Sequence, residues 1–214
     1  MMDAEPNGGH RSLKVLQDEG RLGGIITQNV DGLHSKAGSK NVINLHGKGE
    51  DCVCMSCGVK SKREDYHELL KERNPKFFEK LSSAEKTNEI RPDGDADINV
   101  DYDELELVEC PSCSTGIIKP DVVFFGANVD RKIVDSCYEL CDSSENLIVA
   151  GSSLMVYSGF RFVKEFIRLG KNVTVVNVGE TRGDGVEGVD KIEGDVGQIF
   201  GRALEVILEE KGRN

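Results

Sequence analysis

Four short apolar runs, Gly24 to Thr27, Asp121 to Phe125, Asn146 to Ala150 and Asn172 to Asn177, are rich in Val, Ile and Phe and mostly close on glycine, which predicts buried β-strands. Between them apolar positions recur at helical spacing over His10 to Glu19, Val129 to Leu140, Gly159 to Leu169 and Val196 to Leu208. Strand alternating with helix is the pattern of an α/β domain, a parallel sheet with helices on both faces. From about Gly47 to Gly116 the rhythm stops and the chain becomes polar, charged and rich in turns. The expected organisation is therefore an α/β domain made of residues 1–47 and 117–214, interrupted by a small module over 48–116.

Charge sharpens that division. Net charge is −11, and the stretch 82–109 holds ten acidic and two basic side chains, so −8 of the total is local to it. A charge run of this kind predicts a solvated acidic loop. The acidic balance argues against direct nucleic-acid binding, which draws on clustered Lys and Arg. No run approaches the roughly 18 apolar residues of a membrane helix, so no membrane partner is expected. The first twenty residues have neither the basic start and apolar run of a secretory signal nor the Arg-rich, acid-poor character of a transit peptide. Otherwise 38% hydrophobic and 30% charged residues are ordinary for a globular chain.

Seven cysteines include two C-x-x-C pairs, Cys54 with Cys57 and Cys110 with Cys113, one at each end of the insertion. Without a secretion signal they favour a reducing compartment and thiolate chemistry over a disulfide framework. Two such turns facing each other make the four-thiolate tetrahedron that Zn²⁺ prefers, and four protein ligands leave no open position, so the metal would be structural. It would supply folding energy to a module with few apolar residues. Cys52 is the rival ligand, because Cys52-Val53-Cys54 is also close; Cys137 and Cys141, four apart on a predicted helix, read as core residues.

Ligands of open parallel sheets sit beyond the carboxyl ends of the strands. Here those ends are polar and small. "TQNVDGLH" leaves the first strand through Gln28, Asn29 and Asp31, where turn chemistry alone is one reading and a waiting ligand the other. "NLIVAGSSLMVYSG" passes through Gly151, Ser152 and Ser153 toward a helix, which suits an anion. "VTVVNVG" ends on Asn177, placed to hold a ribose hydroxyl. Three polar strand ends together favour a nucleotide. His46, in "NVINLHG", follows an apolar stretch directly before the insertion; a structural role and a catalytic base are equally open for it.

In order along the chain, "TQNVDGLHSKAG", "LHG", the two C-x-x-C pairs, "KPDVVFFG", "AGSSLMVYSG", "VNVG" and "GD" resemble the motifs of the sirtuins, the NAD-dependent protein lysine deacylases, from about Asn7 to Leu208. "RPDGDADI" and "VVFFGANV" are most similar to the mitochondrial subgroup with lipoamidase, deacylase and ADP-ribosyltransferase activities, which implies the mitochondrial matrix, with cytoplasm or nucleus as alternatives. The resemblance implies a doubly wound, Rossmann-like parallel sheet with an inserted zinc-ribbon domain, NAD as cofactor, one structural Zn²⁺ on Cys54, Cys57, Cys110 and Cys113, and acyl-lysine proteins as substrates. It implies Gln28, Asn29 and Asp31 around nicotinamide and its ribose, with Asn29 and Asp31 joining His46, the general base, in catalysis. Gly151, Ser152 and Ser153 would hold phosphate and ribose, Asn177 the adenine ribose, and Asp195 and Val196 the adenine edge, with Gly179 also binding the cofactor. Val123, Phe124, Phe125 and Gly126 would clamp a substrate peptide from one side, with Val156 opposite.

Sirtuins begin with a strand, a Gly-Ala-Gly-x-Ser phosphate loop and a Pro-Asp-x-Arg segment, and nothing upstream of Asn7 supplies them. The expectation is a sheet lacking its first βα unit, with poor folding and impaired NAD-dependent activity. Two other classes stay open: a non-catalytic, zinc-stabilised acyl-peptide-binding module, and a nicotinamide-dependent dehydrogenase, which needs neither the paired cysteines nor the insertion.

Overall fold

A computed structural model describes residues 4–85 and 101–212. Along the chain the elements are α1 (Gly8–Asp18), β1 (Ile25–Thr27), α2 (Leu33–Lys36), β2 (Val42–Asn44), β3 (Gly47–Cys54), β4 (Lys60–Lys62), α3 (Arg63–Arg73) and α4 (Pro75–Glu85). They continue with β5 (Ile118–Val122), α5 (Arg131–Ser143), β6 (Asn146–Ala150), α6 (Tyr157–Arg168), β7 (Asn172–Asn177), β8 (Val189–Glu193) and α7 (Val196–Gly212). The chain divides into two compact units, Gly47–Val122 and the combination of Ala4–His46 with Val123–Asn214.

The larger unit is built on two parallel ribbons. β7 is the centre of a three-stranded sheet in the order β6-β7-β8, with Val173, Val175 and Val176 fully buried, and β1 pairs with β2. β-branched residues at consecutive positions suit a strand covered on both faces. Against it α6 buries Phe160, Phe162, Val163 and Phe166, and α5 contributes Cys137 and Cys141 at i, i+4. Helix starts are fixed by side-chain caps: Asn7 accepts from the His10 N–H, Asp130 from Lys132 and Asp195 from Gln198.

Among the described residues the parallel strands form two ribbons and not the single doubly wound sheet expected. β1 and β6 are each the edge of their own sheet, and both line one cavity of about 700 Å³ together with Leu13, Leu16, Phe162, Phe166 and Phe200. Joining the ribbons into one sheet needs a strand hydrogen-bonded to both edges, and among the described residues none is. The parallel ribbons themselves and the helices around them follow the expected alternation.

The smaller unit is an antiparallel sheet in the order β4-β3-β5 with α3 and α4. The run Asp121 to Phe125, expected as a strand of the parallel sheet, is divided instead: β5 ends at Val122 and pairs antiparallel with β3. A Val-rich run fits either sheet, and its partner decides. The acidic loop expected over 82–109 lies partly outside the described residues, at 86–100. From Asp101 onward it is tied down: Glu104 pairs with Lys80, Glu106 with Arg73, and Asn74 brackets the Glu106 backbone from both sides. β3 opens on Gly47 at φ +84°, where a Cβ would stand 1.9 Å from the Asp121 carbonyl oxygen. We expect Gly47→Ala to destabilise this unit by at least about 1–3 kcal/mol, through the left-handed backbone and the clash together, read as an earlier urea or thermal transition.

Candidate functional site

β1 delivers the chain to the cavity through Thr27, which is buried and whose hydroxyl accepts from the Asn29 N–H at 3.1 Å. Gln28 then makes two contacts. Its backbone carbonyl oxygen lies 3.1 Å from His46 Nδ1, and its side-chain amide donates to Ser152 Oγ at 3.1 Å. The amide passes over Gly159, where a Cβ would come within 2.9 Å of its atoms. Asn29 is exposed at the rim, while the Asp31 carboxylate accepts from the Leu33 N–H at 2.9 Å, an Asx turn that starts α2.

A carbonyl only accepts, so the contact to Gln28 places the proton of neutral His46 on Nδ1 and leaves Nε2 as the basic atom. Nε2 accepts from Ser158 Oγ at 2.8 Å. Ser158, Nε2, Nδ1, Gln28 and Ser152 thus form one polar chain. Ser158 has no role in the sequence reading, although it stands inside "VYSG"; its signal is its place in the first turn of a helix whose N-terminus has no side-chain cap.

Beyond β6, Gly151 adopts φ +62° and donates to the Val176 carbonyl, and Ser152 Oγ also accepts from the Leu154 N–H. Leu154, 2% exposed, is held at φ +59°, a conformation that costs an ordinary side chain and marks a constrained turn. Between Gly151, Ser152 and Ser153 and the helix lie exposed Met155 and Val156, and α6 starts at Tyr157, two residues before the expected Gly159. Gln28, Asn29, Gly151, Ser152 and Ser153 all line the 700 Å³ cavity. Asp31, His46, Asn177, Gly179, Asp195 and Val196 are outside its lining. Asn177 donates to the Val178 carbonyl, the Gly179 N–H to Glu193, and Asp195 caps α7, with Val196 near Gly151. His34, unassigned from the sequence, lines the cavity and lies 4.6 Å from the His10 ring; burial first, then His10, lowers its pKa.

The other expected peptide contacts lie after β5. The Val123 N–H donates to the His46 carbonyl at 2.9 Å, which puts this segment beside the imidazole. Phe124 to Ala127 form a turn through Gly126 at φ +84° that leaves Phe125 fully exposed.

In the smaller unit the sulfurs of Cys54, Cys57, Cys110 and Cys113 lie within 4.8 Å of one another, with Cys54 to Cys113 and Cys57 to Cys110 both at 3.8 Å. Four sulfurs about 2.3 Å from a central Zn²⁺ stand about 3.8 Å apart at tetrahedral angles, so the spacing fits the ion. Cys52, the rival ligand, is outside the cluster and buried in the core. N–H donors, that of Thr115 first, pull the Cys113 thiol down to about 6, and the Cys57 N–H lowers Cys54. Cys57 goes up to about 11, because burial and neighbouring sulfurs outweigh the Val59 N–H that lowers it. Thiolates so close repel, and a cation at their centre removes the conflict.

The family model described as the Sir2 family matches residues 1–158. The chain belongs to the Sir2 family. It is 42% identical over 200 residues to an NAD-dependent protein deacetylase 1 of Mycobacterium avium, covering 94% of this chain and 70% of that protein. It is 46% identical over 182 residues to the NAD-dependent protein deacetylase 1 of Streptomyces coelicolor, covering 85% of this chain and 58% of the relative. The NAD-dependent protein deacylase Sirt4 of Drosophila melanogaster is 38% identical over 202 residues, 94% of this chain and 62% of that one. This Sir2-family chain thus spans roughly three fifths to seven tenths of the length of these relatives. Among solved structures, a Sir2 with p53 peptide and NAD⁺ superposes with a TM-score of 0.70 at 31% identity, over all of this chain and 73% of that one. A Sir2 bound to acetylated peptide gives 0.70 at 30%, over 100% and 74%.

Gly116 makes the sulfur cluster possible, since a Cβ there would lie 2.2 Å from Cys54 Sγ and 3.1 Å from Cys113 Sγ. Gly116→Ala is expected to weaken Zn²⁺ binding by about 10- to 100-fold or more, measured by competition with a chromogenic chelator.

Proposed function

We propose that this chain removes acyl groups from protein lysines with NAD as co-substrate, and holds one structural Zn²⁺ on Cys54, Cys57, Cys110 and Cys113. The observation that carries the catalytic half is the polar chain from Ser158 through His46 and Gln28 to Ser152, because it presents one oriented base beside the turn where a nucleotide would be held. Bound there, NAD would supply the ribose carbon that exchanges nicotinamide for the acyl oxygen of the modified lysine. Gln28, Asn29 and Asp31 would hold the carboxamide and its ribose, Gly151 to Ser153 the phosphates, Asn177 the second ribose, and Asp195 with Val196 the adenine, with Gly179 also binding the cofactor.

In this reading His46 Nε2 accepts a proton from a hydroxyl that takes the position of Ser158 Oγ, while the Gln28 carbonyl steadies the charged ring through Nδ1. The segment Val123 to Gly126, exposed from Phe124 onward, and the exposed Val156 offer backbone to an extended acyl-lysine peptide, a mode that reads main chain more than sequence. The likeness to Drosophila Sirt4, an NAD-dependent protein deacylase, supports the deacylase reading, and the finer form of the proposal, the lipoamidase and ADP-ribosyltransferase subgroup with a mitochondrial setting, rests on the motifs "RPDGDADI" and "VVFFGANV".

A second reading has its own observation. The edges of β1 and β6, which both line the 700 Å³ cavity, have no further strand partner among the described residues, so the cradle is open where a further parallel strand would close it. In that state the chain acts as an acyl-peptide-binding module with impaired turnover. Nicotinamide release from NAD separates the two readings. Slow release that requires acyl-peptide, and that falls about 10²- to 10⁴-fold in His46→Ala, supports the enzyme. Acyl-peptide binding without release, and unaffected by His46→Ala, supports the module.

A further inference from the structure

α6 turns a second face away from the polar chain. Tyr157, Phe160, Lys164 and Ile167 from the helix, with Arg182 and Val186 from the loop between β7 and β8, line a cleft of about 310 Å³. Its floor is apolar and its rim is cationic. The Arg182 guanidinium lies 4.6 Å from the Phe160 ring centroid and 5.7 Å from that of Tyr157, while Arg161 and Lys164 approach the Tyr157 ring at 5.6 and 6.0 Å. Aromatic faces hold such cations in place without cancelling their charge.

No carboxylate answers them. Glu165 and Asp184 are committed to Arg168 and Lys191; Glu180, as near to Arg182 in sequence as Asp184, is exposed, and among the described residues Arg161, Lys164 and Arg182 make no ion pair. Arg161 lies outside the cleft lining, with its Nε buried. Two cations without a carboxylate on one cleft, Lys164 and Arg182, are a local exception in a chain of net charge −11.

The loop carrying Arg182 is rigid. Its N–H donates to the Ser153 carbonyl, Thr181 donates twice to Asp184, the Gly183 N–H donates to Thr181, and Lys191 reaches both Asp184 and the Gly179 carbonyl. A preformed cationic rim over an apolar floor spares a ligand the entropic cost of organising it.

We propose that this cleft binds an acidic protein segment, with Asp or Glu carboxylates on Arg182 and Lys164 and an apolar side chain against Phe160, Ile167 and Val186. Charge complementarity selects the carboxylates. The apolar floor and the chain's overall negative charge select a short peptide segment over a nucleic acid. The cleft borders exposed Met155 and Val156, so the segment belongs to the protein docked there; that assignment alone rests on the deacylase reading.

Fluorescence anisotropy tests it with short labelled peptides that carry no acylated lysine, one alternating Glu with Leu and one with Gln in place of Glu. The Glu peptide is expected to bind at least about fivefold tighter, an advantage that shrinks toward about 0.3 M salt and disappears in the Arg182→Gln, Lys164→Gln double variant. Thermal melts matching the parent protein establish that the variant is folded. Equal binding of the two peptides, or an advantage that survives in the variant, overturns the proposal, as does equal competition by a single-stranded oligonucleotide. A neutral acyl-lysine peptide run in parallel reports on the deacylase reading separately.

Discussion

Gln28 is the residue on which the candidate site depends, because its two hydrogen-bonding ends do different work. The main-chain carbonyl fixes which nitrogen of His46 is basic, and the side-chain amide ties the end of β1 to the turn after β6. No sheet hydrogen bond joins those strands, so this link and the apolar side chains below it span the cavity. A hydrogen bond of this kind contributes about 1 kcal/mol net, less than the burial of one phenylalanine of α6. Cohesion of the unit therefore comes from the cluster around Phe162, Val163 and Phe166, and Gln28 contributes geometry.

The smaller unit follows a different balance. Its core consists of Cys52, Cys54, Tyr66, Cys110 and Ile118, so two of five buried residues also belong to the sulfur cluster. Small sulfur side chains bury little apolar area, and a unit of this size has little to spare. Metal binding and folding are then one process: ligand geometry supplies what burial does not.

Periodicity made the strands at Asn146 to Ala150 and Asn172 to Asn177 and the four major helices of the larger unit legible, because each buries a face at a regular interval. The insertion was harder to read. α3, "REDYHELLKER", buries only Tyr66 fully, so its apolar stripe is too thin to announce a helix. The end of the acidic stretch read as solvated because composition does not show that Arg73, Asn74 and Lys80 meet it from 24 to 33 residues away. At the site, residue types pointed to polar strand ends and to the cysteine pairs. Backbone facts stayed hidden: the left-handed Leu154, the use of the Gly151 N–H inside the sheet, and the carbonyl that orients His46. Asp31 shows the limit clearly, since its carboxylate does make the Asx turn that its sequence setting allowed, and a turn does not exclude a ligand.

The loop after β7 shows how charge fixes geometry here. Hydrogen bonding from Lys191, then from Thr181, holds the Asp184 carboxyl down to about 2. A depressed carboxylate stabilises the fold at every pH above its ordinary range and loses that contribution only as pH falls toward the folded value, so the loop stays locked through neutral and mildly acidic conditions. Because Asp184 is spent on Lys191, it is not available to Arg182, two positions away. The same ion pair that makes the loop rigid therefore leaves the neighbouring guanidinium without a carboxylate, stacked on Phe160 and facing solvent.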